Sequence, residues 1–213
     1  MNRPQLFDSF SKLPTAVCYI GPAVMMFGDV FTVALNRSFS PLKQTISSFA
    51  AGPYGWLEKV GMAVVAISFL YIATNLLGVK NQKDSHLLRF VGGLLVIVAI
   101  GFLMICIFNT NVIGTIISFH GLMHQITTAA VSAVFYLSCL ILMRLMINKT
   151  GLRYFSLYSG LTFLVGLIVL ALLVSRYHQN EYIGLLERMI AGFNLGWIVL
   201  VGPQVVKLAR SLQ

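Results

Sequence analysis

The chain has 213 residues, 58% of them hydrophobic and 10% charged, with a mean hydropathy of +0.86. A soluble domain carries roughly a quarter charged residues, so this composition excludes a water-covered globule. One polytopic membrane domain over residues 1–213 accounts for the whole length. The net charge of +9 does not mark a nucleic-acid binder, because the basic residues stand in ones and twos at the ends of apolar runs.

The expected fold class is an all-α integral membrane protein, a six-helix bundle with spans near 14–36, 56–78, 88–109, 120–146, 153–176 and 185–208. Each approaches the roughly 20 residues that cross a bilayer core. The first run is longer than the apolar core of a signal peptide and lacks a small-residue cleavage site, so it is expected to stay as a helix. It also carries Asp29. A carboxylate at that depth is expensive and needs a partner or a task.

Between the first two spans, Ser40 and Pro41 form a helix-start pattern and Gly52-Pro53 a stop. Leu42, Ile46 and Phe49 recur between them at helical spacing. This predicts a short amphipathic helix over 41–50, lying on the outer interface with Ser47 on its polar side. The second outer connection, 109–119, is uncharged, and the third, 177–184, is short and polar. The three cysteines, Cys18, Cys106 and Cys139, fall within apolar runs without ligand spacing. They read as small core residues.

Placing both termini in the cytoplasm puts Arg3, Lys12, Lys80, Lys83, Arg89, Arg144, Lys149, Arg153, Lys207 and Arg210 inside. That leaves Arg37, Lys43, Lys59, Arg176 and Arg188 outside, 10 against 5 of the 15 basic residues. The excess favours an N-in, C-in topology.

Helical geometry then gathers the candidate chemistry in the outer half. Asp29 lies about seven residues, or roughly 10 Å, below the outer end of the first span. His120 and His124 share a face at the start of the fourth, and Glu187, with Asn194 beneath it, starts the sixth. These stripes are expected to converge on an outward-facing pocket in which Asp29 meets His124. Asp29, His120 and His124 form a candidate ligand set for one divalent transition metal such as zinc. Glu187 is the candidate base, while Ser47, Arg188 and Asn194 are candidate substrate-binding groups, Arg188 for a lipid phosphate. The simpler alternative has the histidines hydrogen-bonding Asp29 and loop carbonyls, fixing two helices together. Gly192 and Gly196 form a GxxxG pair that packs helices within the chain or supports a homodimer.

Several of these stretches also resemble a known family. Ser40-Pro41-Leu42-Lys43-Gln44-Thr45-Ile46-Ser47-Ser48 with Gly52-Pro53-Tyr54-Gly55-Trp56 resembles the first outer loop of a prokaryotic membrane family catalogued as domain of unknown function nine-nine-eight. His120-Gly121-Leu122-Met123-His124 is similar to its histidine motif, and Gly184-Leu185-Leu186-Glu187-Arg188 with Trp197 to the start of its last helix. The resemblance implies six helices in a prokaryotic cytoplasmic (inner) membrane and brings no activity. More loosely, the Asp, Ser and paired His resemble the intramembrane zinc hydrolases related to alkaline ceramidases and adiponectin receptors. Their third metal histidine has no counterpart here.

Two uses fit the expected pocket, with membrane lipids as partners. One is a metal-assisted or acid–base hydrolase or transferase acting on a lipid headgroup at the outer leaflet. The other is a binding or sensing protein that holds a lipid or small ligand without turnover. A proton-coupled transporter ranks last, because the inner halves of the helices show no matching ionisable chain and no inverted repeat is evident.

Overall fold

The computed structural model describes residues 9–80, 84–111, 118–176 and 181–213. Most of the second and third expected connections, together with Arg3 and Lys83 of the charge tally, lie outside the described residues. Eight helices are used below: α1 (Val17–Leu35), α2 (Ile46–Ala50), α3 (Trp56–Leu77), α4 (Ser85–Ile107), α5 (Phe119–Met146), α6 (Arg153–Arg176), α7 (Ile183–Leu200) and α8 (Gly202–Ser211). Six stretches are long and apolar enough to cross a membrane, the last running from Ile183 to Ser211 through the α7–α8 junction. In hydrocarbon the backbone must satisfy its own polar groups, so apolar runs of this length become helices.

The spans close into a ring, α1 on α3, α3 on α4, then α5, α6 and α7, with α7 returning to α1. Close approach of α1 and α3 rests on small residues. A Cβ at Gly21 would stand 2.9 Å from the Val64 carbonyl oxygen and 3.0 Å from the Val65 Cα. Gly28 meets the Leu57 carbonyl in the same way, 3.1 Å from a built Cβ. The α3 helix is the most deeply buried span, and Phe69, Tyr71, Ile72 and Leu76 on it are fully enclosed. Near mid-bundle an aromatic chain runs Phe102–Phe69–Phe135–Trp197, with ring centroids 5.6, 5.4 and 5.3 Å apart. The Trp197 indole donates to Ser159 Oγ at 2.9 Å, which ties α7 to α6.

Ser11 and Leu13 meet the C-terminal helix at one end of the bundle. Arg210 on α8 donates to Asn75 Oδ1 at 3.1 Å, to the Tyr71 hydroxyl at 3.0 Å, and to the carbonyls of Ser11 and Leu13. Gln213 adds a bond to the Asn75 carbonyl at 2.8 Å. The opposite end carries α2, and there the expected helix over 41–50 is corrected: it is helical only from Ile46 to Ala50, capped by Thr45, whose hydroxyl accepts from Ser48 N at 3.0 Å. Residues 41–44 form turns instead, because their carbonyls are claimed by α7. Leu42 O accepts from Gly184 N at 3.0 Å and Leu185 N at 3.2 Å, satisfying amides that the first turn of a helix leaves unpaired.

Candidate ligand cavity and the Asp29–Arg188 hub

Arg188 decides the arrangement at the α2 end. Its Nε donates to Asp29 Oδ2 at 2.9 Å and its Nη2 to Asp29 Oδ1 at 2.8 Å, a bidentate pair with about a fifth of each side chain exposed. Its Nη1 donates to the carbonyls of Pro41 (2.7 Å), Gln44 (2.8 Å) and Gly184 (3.2 Å). The guanidinium also lies 5.3 Å from the centroid of the buried Phe49 ring. One cation thus joins α1, the 41–50 segment and α7. The approach needs glycine at 184, where any Cβ would collide with the Pro41 and Gln44 carbonyls.

The expected meeting of Asp29 with His124 is therefore corrected. A guanidinium offers two parallel charged donors to a carboxylate, a stronger match than one imidazole N–H. His124 turns elsewhere: its Nδ1 lies 2.8 Å from the Phe108 carbonyl. A carbonyl only accepts, so Nδ1 carries the proton and Nε2 of the neutral ring is an acceptor. His120 is exposed and its ring lies tilted against Phe108, 5.6 Å between centroids. The set of Asp29, His120 and His124 is not assembled for a metal; among the described residues no group of three His, Cys, Asp or Glu stands in metal-holding geometry. Arg188, expected to hold a lipid phosphate, instead directs its donors to Asp29 and to backbone carbonyls.

Glu58 is the residue that sequence reasoning missed. It is fully buried in the first turn of α3, against the Asp29 carboxyl group and near Arg188 and Glu187. In sequence it stands next to Lys59 at the start of a span, where it passes for half of an interfacial ion pair.

Four other expected residues do come together. Ser47, His124, Glu187 and Asn194 line one cavity of about 140 Å³ inside the ring. Its remaining walls are largely apolar and include Met25, Met62, Phe69, Phe102, Ile105, Val131 and Phe135. Glu187 and Leu195 both line it, so it extends along about 12 Å of α7. Glu187 faces the N-terminus of α2, close to the backbone of Ile46 and Ser47 and to the Ser47 hydroxyl. Its Oε2 is buried without a hydrogen-bond partner, and so is Asn194 Oδ1. The cavity is polar toward α2 and apolar toward the aromatic chain.

The GxxxG pair divides. A Cβ at Gly196 would collide with the Tyr158 hydroxyl of α6, whereas Gly192 borders open space. All three cysteines are unpaired, with Cys18 and Cys139 fully enclosed.

No curated protein and no solved structure matches this chain. A family model described as a protein of unknown function (DUF998) matches residues 19–203, from the first span to the start of α8. The chain therefore belongs to this family of multi-pass membrane proteins of unknown function.

Proposed function

We propose that this protein binds an amphipathic molecule of the outer leaflet in the cavity between α1, α3, α4, α5 and α7. The apolar part lies among Met25, Met62, Phe69, Phe102 and Phe135, and the head meets Ser47, His124, Glu187 and Asn194. One observation carries the reading: six polar residues from α2, α5 and α7 (Ser47, His124, Thr128, Ser132, Glu187 and Asn194) line a single, otherwise apolar void within the membrane-spanning ring. Ligand sites have this composition, mostly apolar with a few convergent polar groups. The excess of basic residues on the terminal side supports placing the α2 end, and with it the polar end of the cavity, outside.

Trp197 gives a direct test. It packs against Phe135 on the cavity wall and is fully buried, while the second tryptophan, Trp56, is exposed and replaceable. In a Trp56→Phe background, a medium-chain ω-bromoalkanol entering the cavity brings its bromine toward Trp197 and quenches it saturably. Ala191→Phe, which fills the void from α7, abolishes the quenching. Linear, non-saturating quenching that is unchanged by Ala191→Phe overturns the reading.

A second reading is acid–base hydrolysis or transfer within the same cavity. It is favoured by Glu187 and His124 sharing the void with an unpartnered carboxyl oxygen and an acceptor imidazole nitrogen. Mass spectrometry of candidate lipid esters after incubation separates turnover from binding: a loss of ester that Glu187→Gln abolishes establishes it, and unchanged ester removes it.

A further inference from the structure

We infer that the head of the bound molecule is a protonated amine, with Glu187 as its counter-ion. This inference rests on the cavity being a ligand site and adds the chemistry of the ligand. The buried polar atoms that the cavity leaves without a partner are acceptors, and the Thr128 and Ser132 hydroxyls that also line it can accept as well as donate. Glu187 Oε2 and Asn194 Oδ1 are buried without partners, and the neutral His124 ring, its Nδ1 proton spent on Phe108, presents the lone pair of Nε2. An alkylammonium group offers three N–H donors and no acceptor, so it matches such a set.

Charge points the same way. Three carboxyl groups lie within electrostatic reach of the Arg188 guanidinium, Asp29 in direct contact and Glu58 and Glu187 farther off. That guanidinium directs hydrogen bonds to Asp29 and to the carbonyls of Pro41, Gln44 and Gly184. Glu58 is sealed from the cavity at 0% exposure, which leaves Glu187 as the carboxylate that a ligand reaches. An anionic head would meet Glu187 with no Lys or Arg among the described residues that line the cavity to offset the repulsion. The preference runs against the chain's overall charge of +9, which by itself draws anions. A cation preference would therefore report the local site.

The test extends the Trp197 assay to ω-bromoalkyl compounds of one chain length, carrying ammonium, hydroxyl, carboxylate or phosphate heads, in neutral detergent with the Trp56→Phe protein. The ammonium compound is expected to half-saturate at a concentration at least about tenfold below the alcohol, the range of one hydrogen bond between charged groups. Carboxylate and phosphate should bind more weakly than the alcohol. Glu187→Gln should erase the ammonium advantage, bringing the half-saturation concentrations of ammonium and alcohol together. Equal binding of ammonium and alcohol by the wild-type cavity, or tighter binding of either anion, overturns the amine assignment and leaves the cavity reading standing. Absence of saturable quenching by every compound overturns both. The wild-type comparison needs no folded variant, and His124→Gln, which keeps a polar group on the cavity, should narrow the ammonium advantage in parallel.

Discussion

Replacing Arg188 by methionine tests the hub at the α2 end most sharply. The substitution keeps an apolar stem of similar length and removes five hydrogen bonds, two to Asp29 and one each to the carbonyls of Pro41, Gln44 and Gly184. It leaves three neighbouring carboxyl groups without their cation. Breaking a largely buried ion pair from one side costs about 3–5 kcal/mol, and the enclosure of both side chains here, with about a fifth exposed, places Arg188→Met in that range. Asp29→Asn is milder, about 1–3 kcal/mol, because the amide keeps one acceptor and the guanidinium still feels the nearby carboxyl groups of Glu58 and Glu187. The double variant should cost no more than Arg188→Met alone, since the Asp29 charge then has no cation to lose. Unfolding by SDS titration in mixed micelles measures all three. Hydrogen exchange at Gly184 and Leu185, whose amides donate to Leu42 O, should accelerate in Arg188→Met and hold in Asp29→Asn. Single-variant losses that add within about 0.5 kcal/mol, or an Arg188→Met cost below about 1 kcal/mol, refute the coupling.

At the opposite end, Arg210→Gln strips the ties to Asn75, Tyr71, Ser11 and Leu13. It should lower stability by about 2–4 kcal/mol, with limited proteolysis cutting first near the C-terminus. His124→Ala should weaken bromoalkanol quenching of Trp197 several-fold, while His120→Ala, exposed and off the cavity, leaves the binding curve unchanged. Chelation is expected to leave the unfolding midpoint in place, because the described His, Cys, Asp and Glu residues form no ligand group of three; stoichiometric zinc by elemental analysis, lost together with stability, contradicts this. Gly21→Val should cost more than about 2 kcal/mol through its clash with the α3 backbone, whereas Gly192→Ala, bordering open space, should change stability by less than about 0.5 kcal/mol.

Hydropathy made the six spans legible because lipid leaves the backbone so few options. Depth was legible too, since counting 1.5 Å per residue places Asp29, His124 and Glu187 at similar levels. Azimuth was not. Successive helical residues point roughly 100° apart, so Glu187 turns to the cavity while its neighbour Arg188 turns to Asp29. Reading the two as one outward-facing patch sent Arg188 to a phosphate and left Asp29 for a histidine. His120 and His124 share a broad face, yet only His124 reaches the interior; His120, in the first turn of α5, is exposed. The 41–44 turn was hidden because its cause lies on α7, whose first amides and Arg188 draw those carbonyls away from helix formation.

The ion pair at the α2 end joins residues 159 positions apart, and this separation bears on how the polypeptide is made. The ribosome delivers the acid with the earliest span and its counter-ion with the latest. For most of synthesis the nascent protein holds a bare carboxylate in or near hydrocarbon, where its first segment gains little from staying inserted. Arrival of the final segment ends that exposure and locks the opening one in place. A product cut short before α7 would keep the Asp29 carboxylate without this counter-ion.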